Sequence, residues 1–288
     1  MRVHIVCKQF KEDRVLARFA RHLVERLSWT VSKKPDKRAD LNYWMAFLEW
    51  GRFRSFNTTP TAAYMTHLDD PVGDPELFRL FTEAASAADL RVCMNRVSGA
   101  EVEARFGKTV VFPLPVELEH FVLKSESPTG VPVVGFSGYG YRSGRKGAEL
   151  AESVVEAFGH RCRFQASGRR WPCPTTMYKW REMPAFFRSL DIYVCTSLIE
   201  GGPMTTLEAL ASGLPVVIPS AVGIHDEIPV TPGIFRYTRG DAQDLCRTVD
   251  DALASFRTVD REALRAATQP HSVDAWCEAH RDTFARLI

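Results

Sequence analysis

Apolar residues follow two rhythms along this chain. Short unbroken apolar runs alternate with longer stretches in which apolar positions recur every three or four residues, the signatures of buried strands and of helices with one covered face. In the first part of the chain the runs HIVCKQF (4–10), WTVS (29–32), LNYWMAFL (41–48), TAAYMTH (61–67) and LRVCMN (90–95) predict strands. Helices are predicted over 13–27, 75–88 and 98–107, the last closed by Gly107 at its C-terminal cap. In the first helix Val15, Leu16, Phe19, Leu23, Val24 and Leu27 share one face, with Arg14, Arg18, Arg21 and Arg26 opposite.

The rhythm breaks over PLPVELEHFVLKSESPTGVP (113–132), whose prolines and polar centre read as a linker. Alternation then resumes with VPVVGFSG, a helix over 147–159, RCRFQASG, a helix at PAFFRSL, DIYVCTS, a helix at TTLEALAS, and LPVVIP. Strand and helix in continuous alternation mean parallel sheets covered on both faces. The expected architecture is α/β, two doubly wound parallel-sheet (Rossmann-like) domains joined near residue 125, the first spanning 1–125 and the second 126–270, with a terminal segment at 271–288.

Composition narrows the class without naming a chemistry. The 288 residues are 45% hydrophobic and 25% charged, an ordinary globular balance that can bury a core. No apolar run is long enough to cross a bilayer and no secretory signal is evident, so a cytoplasmic protein is expected. The seven cysteines include no CxxC pair and no zinc spacing, which fits buried thiols in a reducing compartment. Net charge is only +2, yet residues 1–56 hold 13 Lys or Arg against 6 Asp or Glu. That local excess suits either a solvated helix face or an anionic partner such as a glycan, a lipid surface or nucleic acid.

The candidate chemistry lies in SLIEGGPMTTLEALASGLPVVIP (197–219). A strand, DIYVCTS, ends in a turn that carries Glu200, Gly201, Gly202 and Pro203, and a helix begins near Met204. Open α/β sheets bind ligands beyond the carboxyl ends of their strands. There the first amides of a helix meet anions, and bare glycine lets a ligand approach the backbone. Glu208 has two readings: Thr205-x-x-Glu208 is a capping box, and a second carboxylate one turn into the helix is also a ligand group. A second candidate is GFSGYGYRSGRKG (135–147), a glycine-rich loop before a helix with Arg142, Arg145 and Lys146, which offers cations to a leaving phosphate.

Glu200 through Glu208, with the Ala-Leu-Ala-Ser-Gly-Leu-Pro-Val-Val that follows, resembles the E-x7-E segment of retaining GT-B glycosyltransferases of glycosyltransferase family 4. The resemblance implies two Rossmann-like domains facing a cleft, a nucleotide diphosphate sugar as donor, and no metal or further cofactor. It implies that Glu208 takes the ribose hydroxyls and Glu200 those of the donor sugar. The backbone of Gly201, Gly202, Pro203, Met204 and Thr205 would line the diphosphate or the sugar, next to the Gly138 loop. Lys146 matches the family's phosphate-binding lysine. The usual arginine partner falls near Tyr141 and is absent, leaving Arg145 or Arg142 to replace it. His67 is the candidate for the family's donor-sugar histidine, with Asp69 and Asp70 nearby. Trp171 or Tyr178 is available to stack on a base, core packing being the other reading. Residues 108–121 resemble the family's crossover strand and linker, and 272–288 its terminal helix packing back on the first domain. The glycine-rich turn expected after the first strand is replaced by KQFKED. A GT-B nucleotide-sugar epimerase and a non-catalytic nucleotide-sugar binding module are the competing readings.

Overall fold

The computed structural model describes residues 1–53, 59–66, 74–125, 130–140 and 144–287. It divides into two compact units, Met1–Pro115 with Val273–Ile288, and Val116–Ser272. The division falls at 115/116, ten residues before the expected linker centre. The reason is that 116–125 is bonded into the second unit. The Val116 amide donates to the His271 carbonyl at 2.7 Å, the Lys124 amide to that of Ser212 at 3.0 Å, and the Lys124 ammonium pairs with buried Asp191 at 2.9 Å.

The first unit holds a six-stranded parallel sheet ordered β2-β1-β3-β4-β5-β6. Its strands are β1 (Val3–Val6), β2 (Thr30–Ser32), β3 (Leu41–Trp44), β4 (Thr61–Met65), β5 (Leu90–Cys93) and β6 (Thr109–Val111). β1, β3, β4 and β5 are buried at every position, which is why they read as unbroken apolar runs, while the edge strands β2 and β6 are only partly covered. Helices α1 (Val15–Leu27), α2 (Trp50–Phe53), α3 (Pro75–Ala87) and α4 (Arg96–Phe106) connect them. Strands β1 and β3 are shorter than predicted: KQF leaves the sheet after Val6, and Phe47–Glu49 turns into a 3-10 helix. One core cluster packs Trp44, Phe47, Phe81 and Val102 together.

The C-terminal helix α10 (Val273–Leu287) lies against α1 in this unit. Trp276 meets Phe19 at 5.4 Å and Phe284 stacks on Trp29 at 5.6 Å. Arg26 reaches Asp274 at 3.1 Å. The face of α1 therefore differs from the predicted one: Ala17, Arg18, Phe19, Ala20 and Leu23 are buried, and Val15 is exposed. A helix held between a sheet and a second helix buries two sides, so Arg18 does not remain on a solvent face.

The second unit repeats the plan with order β12-β11-β10-β7-β8-β9. The strands are β7 (Val133–Tyr139), β8 (Arg163–Arg169), β9 (Thr175–Thr176), β10 (Ile192–Val194), β11 (Val216–Pro219) and β12 (Ile234–Tyr237). The helices are α5 (Ala148–Phe158), α6 (Met183–Arg188), α7 (Met204–Ala211), α8 (Ala242–Ser255) and α9 (Arg261–Ala266). Val134, Phe136, Val154, Phe158, Val217, Leu245 and Val249 form its core. Trp171 belongs there too, stacked on Phe136 at 5.6 Å with its indole nitrogen donating to the Gly138 carbonyl at 2.8 Å. Core packing is thus the reading that holds for Trp171. No helix among the described residues is long and apolar enough to cross a membrane.

Among the described residues, His225 in one unit and His280 in the other are completely buried and locked as neutral rings. His225 Nδ1 faces the Pro219 carbonyl at 2.9 Å and Nε2 faces the Thr206 hydroxyl at 3.0 Å. His280 Nδ1 faces the Trp276 carbonyl at 2.9 Å and Nε2 the Tyr43 hydroxyl at 3.2 Å. A carbonyl only accepts, so Nδ1 carries the proton in both rings and Nε2 accepts from the hydroxyl. Burial pushes His225 down to about 4 and His280 down to about 3. A depressed pKa makes the unfolded chain the better proton binder at low pH. The stability tied to these rings should be complete above pH ~6.5 and fall by about 3–5 kcal/mol per histidine as pH drops towards 3, beyond what carboxylates contribute. Urea midpoints measured against pH check this: His225→Asn and His280→Asn should each flatten the acid limb, and an unchanged slope in both would refute the assignment.

Candidate active site

In the second sheet the chain winds outward from β7 through β8 to β9, then returns to β10 on the other side of β7 and continues to β12. The order reverses between β7 and β10. At such a reversal the loops leaving two adjacent parallel strands diverge, and the gap between them is the natural ligand position of an open α/β sheet. The loop after β7 carries Arg145 and Lys146, and that after β10 carries Glu200.

The two loops are clipped together. The Thr196 hydroxyl donates to the Lys146 carbonyl at 2.8 Å, and the Leu198 amide to the Arg145 carbonyl at 2.7 Å. Gly147 starts α5 from a left-handed conformation, φ 62°, and a side chain there would run into the Thr196 carbonyl oxygen. Lys146 then crosses Gly138, where a Cβ would stand 3.2 Å from its Cε and 3.3 Å from its Nζ. Gly138 thus makes room for the lysine side chain. It sits at φ 126°, a backbone shape unsuited to other residues.

The Lys146 ammonium ends on Glu200 Oε1, forming an ion pair with both side chains largely out of solvent. The Ser197 hydroxyl, itself buried, donates to the same oxygen at 2.9 Å. Burial pushes the Glu200 carboxyl up, but the Lys146 charge, its hydrogen bond, the Ser197 hydroxyl and the Arg145 charge outweigh it. The carboxyl is held below the usual carboxylate range. Glu200 is therefore ionised at neutral pH and faces a cation across the reversal point.

Helix α7 begins at Met204 with Pro203 as its N-cap and no side-chain cap bond. The capping box expected from Thr205-x-x-Glu208 does not form. Thr205 is already the second helical residue, and its hydroxyl is taken by the Tyr193 hydroxyl at 2.6 Å. Glu208 is a buried carboxylate, 4% exposed, one turn into a helix buried on nearly every side. Gly201, Pro203 and Met204 are also buried, and Gly202 and Thr205 are partly exposed. The Thr206–His225–Pro219 chain of hydrogen bonds ties α7 to the end of β11, which fixes the helix that carries Glu208.

The structure thus brings Gly138, Arg145, Lys146, Glu200 and the Gly201–Thr205 turn together at the C-terminal edge of one sheet. Arg142, His67, Asp69 and Asp70 lie outside the described residues. Tyr178 packs on Phe186 at 5.3 Å. Among the described residues no three His, Cys, Asp or Glu side chains converge as metal ligands. Sequence reading missed Thr196, Ser197 and Tyr193, which hold the site's backbone and carboxylate. The signal for Ser197 was available, since a hydroxyl three residues before a turn carboxylate is a common local partner.

Residues 166–255 match the family model described as Glycosyl transferases group 1. No curated protein sequence gives a significant match. The solved structures are more informative. The chain superimposes on Anabaena HepE, a structure in complex with UDP and glucose, with TM-score 0.77 and 14% identity over 100% of both chains. The fold is GT-B. Sucrose-phosphate synthase from Thermosynechococcus elongatus gives TM-score 0.73 at 14% identity, covering 97% of this chain and 79% of that one. The α,α-trehalose-phosphate synthase (UDP-forming) from Burkholderia vietnamiensis gives 0.65 at 14%, over 86% and 71%. The GT-B architecture accounts for the two six-stranded sheets, and the matched family segment runs from β8 through α7 to α8.

The Gly147 junction is testable on its own. Gly147→Ala should cost ~2 kcal/mol or more beyond Gly144→Ala, because Gly144 also has positive φ but open space around it. Urea denaturation of the two variants checks this, and equal midpoints would deny the clash.

Proposed function

We propose that this chain is a glycosyltransferase that moves a sugar from a nucleotide diphosphate sugar to an acceptor hydroxyl, with retention of anomeric configuration and without a metal. The observation that carries the proposal is the Lys146–Glu200 ion pair at the strand-order reversal, beside a glycine turn and the start of α7. Support comes from the family segment at 166–255 and from a fold shared with HepE, whose structure holds UDP and glucose.

A donor diphosphate brings more negative charge than one carboxylate and competes for Lys146. When it takes the lysine, Glu200 is released from the pair and its oxygens become acceptors for hydroxyls of the donor sugar. The two residues exchange partners, so neither is left buried and uncompensated. Glu208 takes the ribose hydroxyls, and the amides at the start of α7 lie beside the phosphates. Arg145 supplies the second positive charge. As the sugar–phosphate bond breaks, charge grows on the leaving oxygen where Lys146 and Arg145 are fixed, and such preorganised charge lowers the barrier most. The leaving phosphate itself takes the proton of the incoming hydroxyl on the same face. Outside the described residues, His67 is the proposed contact to the donor sugar and Arg142 a further phosphate contact.

Nucleoside diphosphate release, measured with a panel of nucleotide sugars beginning with UDP-glucose, tests the assignment. Lys146→Ala and Glu208→Gln should each lower kcat/KM by ~100-fold or more with the fold intact. EDTA should leave the rate unchanged, and product NMR should show the donor's anomeric configuration. Full activity in either variant would overturn the site, and donor binding with no turnover under any acceptor would leave a binding module instead.

A further inference from the structure

The first unit has a cleft of its own, of about 350 Å³, lined by Cys7 to Glu12 and Val31 to Lys33. It lies at the C-terminal ends of the paired strands β1 and β2, where the sequence has KQFKED. Lys8, Lys11 and Lys33 face it, all three exposed, and among the described residues none of their ammonium groups has an acidic partner. The acids nearby are already engaged. Glu12 pairs with Arg14 at 2.8 Å, Asp13 with Arg21 at 3.6 Å, and the Glu49 carboxylate accepts the Lys8 backbone amide at 3.0 Å. Helix α1 starts just beyond this loop with no acidic residue in its first turn, so its positive end adds to the same field.

The cleft is prebuilt. The Arg21 guanidinium donates to the Phe10 and Glu12 carbonyls, each at 2.9 Å, and the Cys7 amide donates to the Ser32 carbonyl at 2.9 Å. Phe10 and Val31 add apolar lining, and Ser32 and Gln9 add a hydroxyl and an amide, a mixture that suits a small polar molecule. The volume falls at the small end of ligand pockets. Cys7 is not a nucleophile there: burial first, and then Glu49, push its thiol up to about 11.

We propose that this cleft binds a phosphomonoester, and that the phosphomonoester is carried by the acceptor molecule. The second half of that statement rests on the glycosyltransferase reading given above, and the first half does not. Three lysines line the cleft, and the one carboxylate in its lining, Glu12, is held by Arg14, a charge balance that suits a dianionic phosphate. A lone carboxylate is better served by the planar fork of arginine, and no arginine lines the cleft.

The test separates the two halves. Calorimetric titration without donor compares inorganic phosphate, a hexose monophosphate, and the unphosphorylated hexose against the full chain. The hexose monophosphate should bind at least about tenfold more tightly than the hexose, with affinity falling as salt rises. Lys8→Ala/Lys11→Ala/Lys33→Ala should erase that preference, with the thermal midpoint as the check on folding; if the triple variant does not fold, Lys33→Ala and Lys11→Ala should each weaken it. Equal binding of hexose and hexose monophosphate, or an unchanged preference in the lysine variants, overturns the site. Inorganic phosphate binding as well as the hexose monophosphate would mean an ion site without an acceptor, and overturns the second half alone. If the glycosyltransferase reading fails, no nucleotide sugar is turned over, while the phosphate preference still stands or falls by calorimetry.

Discussion

The arrangement of the second unit turns on one ion pair, Lys146 with Glu200. A largely buried pair is a poor source of stability, because both charges give up water and their attraction only roughly recovers the cost. Its demands on the surrounding chain are considerable. Lys146 must leave one strand and Glu200 its neighbour, so the pair exists only because the sheet reverses its winding between β7 and β10. Thr196 must clip one loop to the other, Gly147 must accept a left-handed backbone, and Gly138 must hold a positive φ that side chains rarely adopt. Ser197 supplies the further hydrogen bond that a buried carboxylate needs. A feature that costs this much local specialisation and returns little stability is better explained by ligand exchange than by folding.

Rigidity around the pair comes from neutral contacts. His225 sits between the Thr206 hydroxyl and the Pro219 carbonyl, and Tyr193 binds the Thr205 hydroxyl from below the first turn of α7. None of these groups carries a charge at neutral pH, since burial drives the histidine down and the tyrosine well above its usual range. The charges within the site thus belong to residues aimed at a ligand, and the scaffold that positions them adds no competing field. Sites held on rigid elements by uncharged supports keep their geometry when a charged ligand arrives and leaves.

How much of this was legible in the residues depends on what each pattern encodes. Strands buried on both faces announce themselves as apolar runs, so β1, β3, β4, β5, β7, β10 and β11 were found, and β8 and the short edge strand β2 were found with them. The edge strands of the second sheet do not: Thr175–Thr176 is exposed and β12 is only half covered, and both were missed. Helix α8 was missed although its signals are present, with Asp241 capping the Gln243 and Asp244 amides and Leu245, Val249 and Ala252 on one face. The position of Glu200 and the start of α7 followed from local sequence. The fate of Thr205 did not, because the hydroxyl of Tyr193 reaches it from the preceding strand β10 and no local rule contains that contact. The burial of Arg18 was hidden for the same reason, since α10 arrives from the far end of the chain.

The two units place cationic loops at comparable positions, beyond the C-terminal ends of strands beside the point where each sheet reverses, and give them opposite electrostatics. In the second unit the lysine is matched by a carboxylate at contact distance, so an incoming anion must displace that partner. A weak or singly charged anion is thereby refused, because it gains the lysine only by stranding Glu200. In the first unit Lys8, Lys11 and Lys33 face a cleft whose neighbouring acids are bound to other groups. There an anion needs to displace nothing but water and mobile ions. Its binding is the more sensitive to salt, because exposed charges are screened over about 10 Å while a buried pair is shielded from that screening. One loop selects by exchange, the other recruits by field, and the difference arises from where the chain has placed its glutamates.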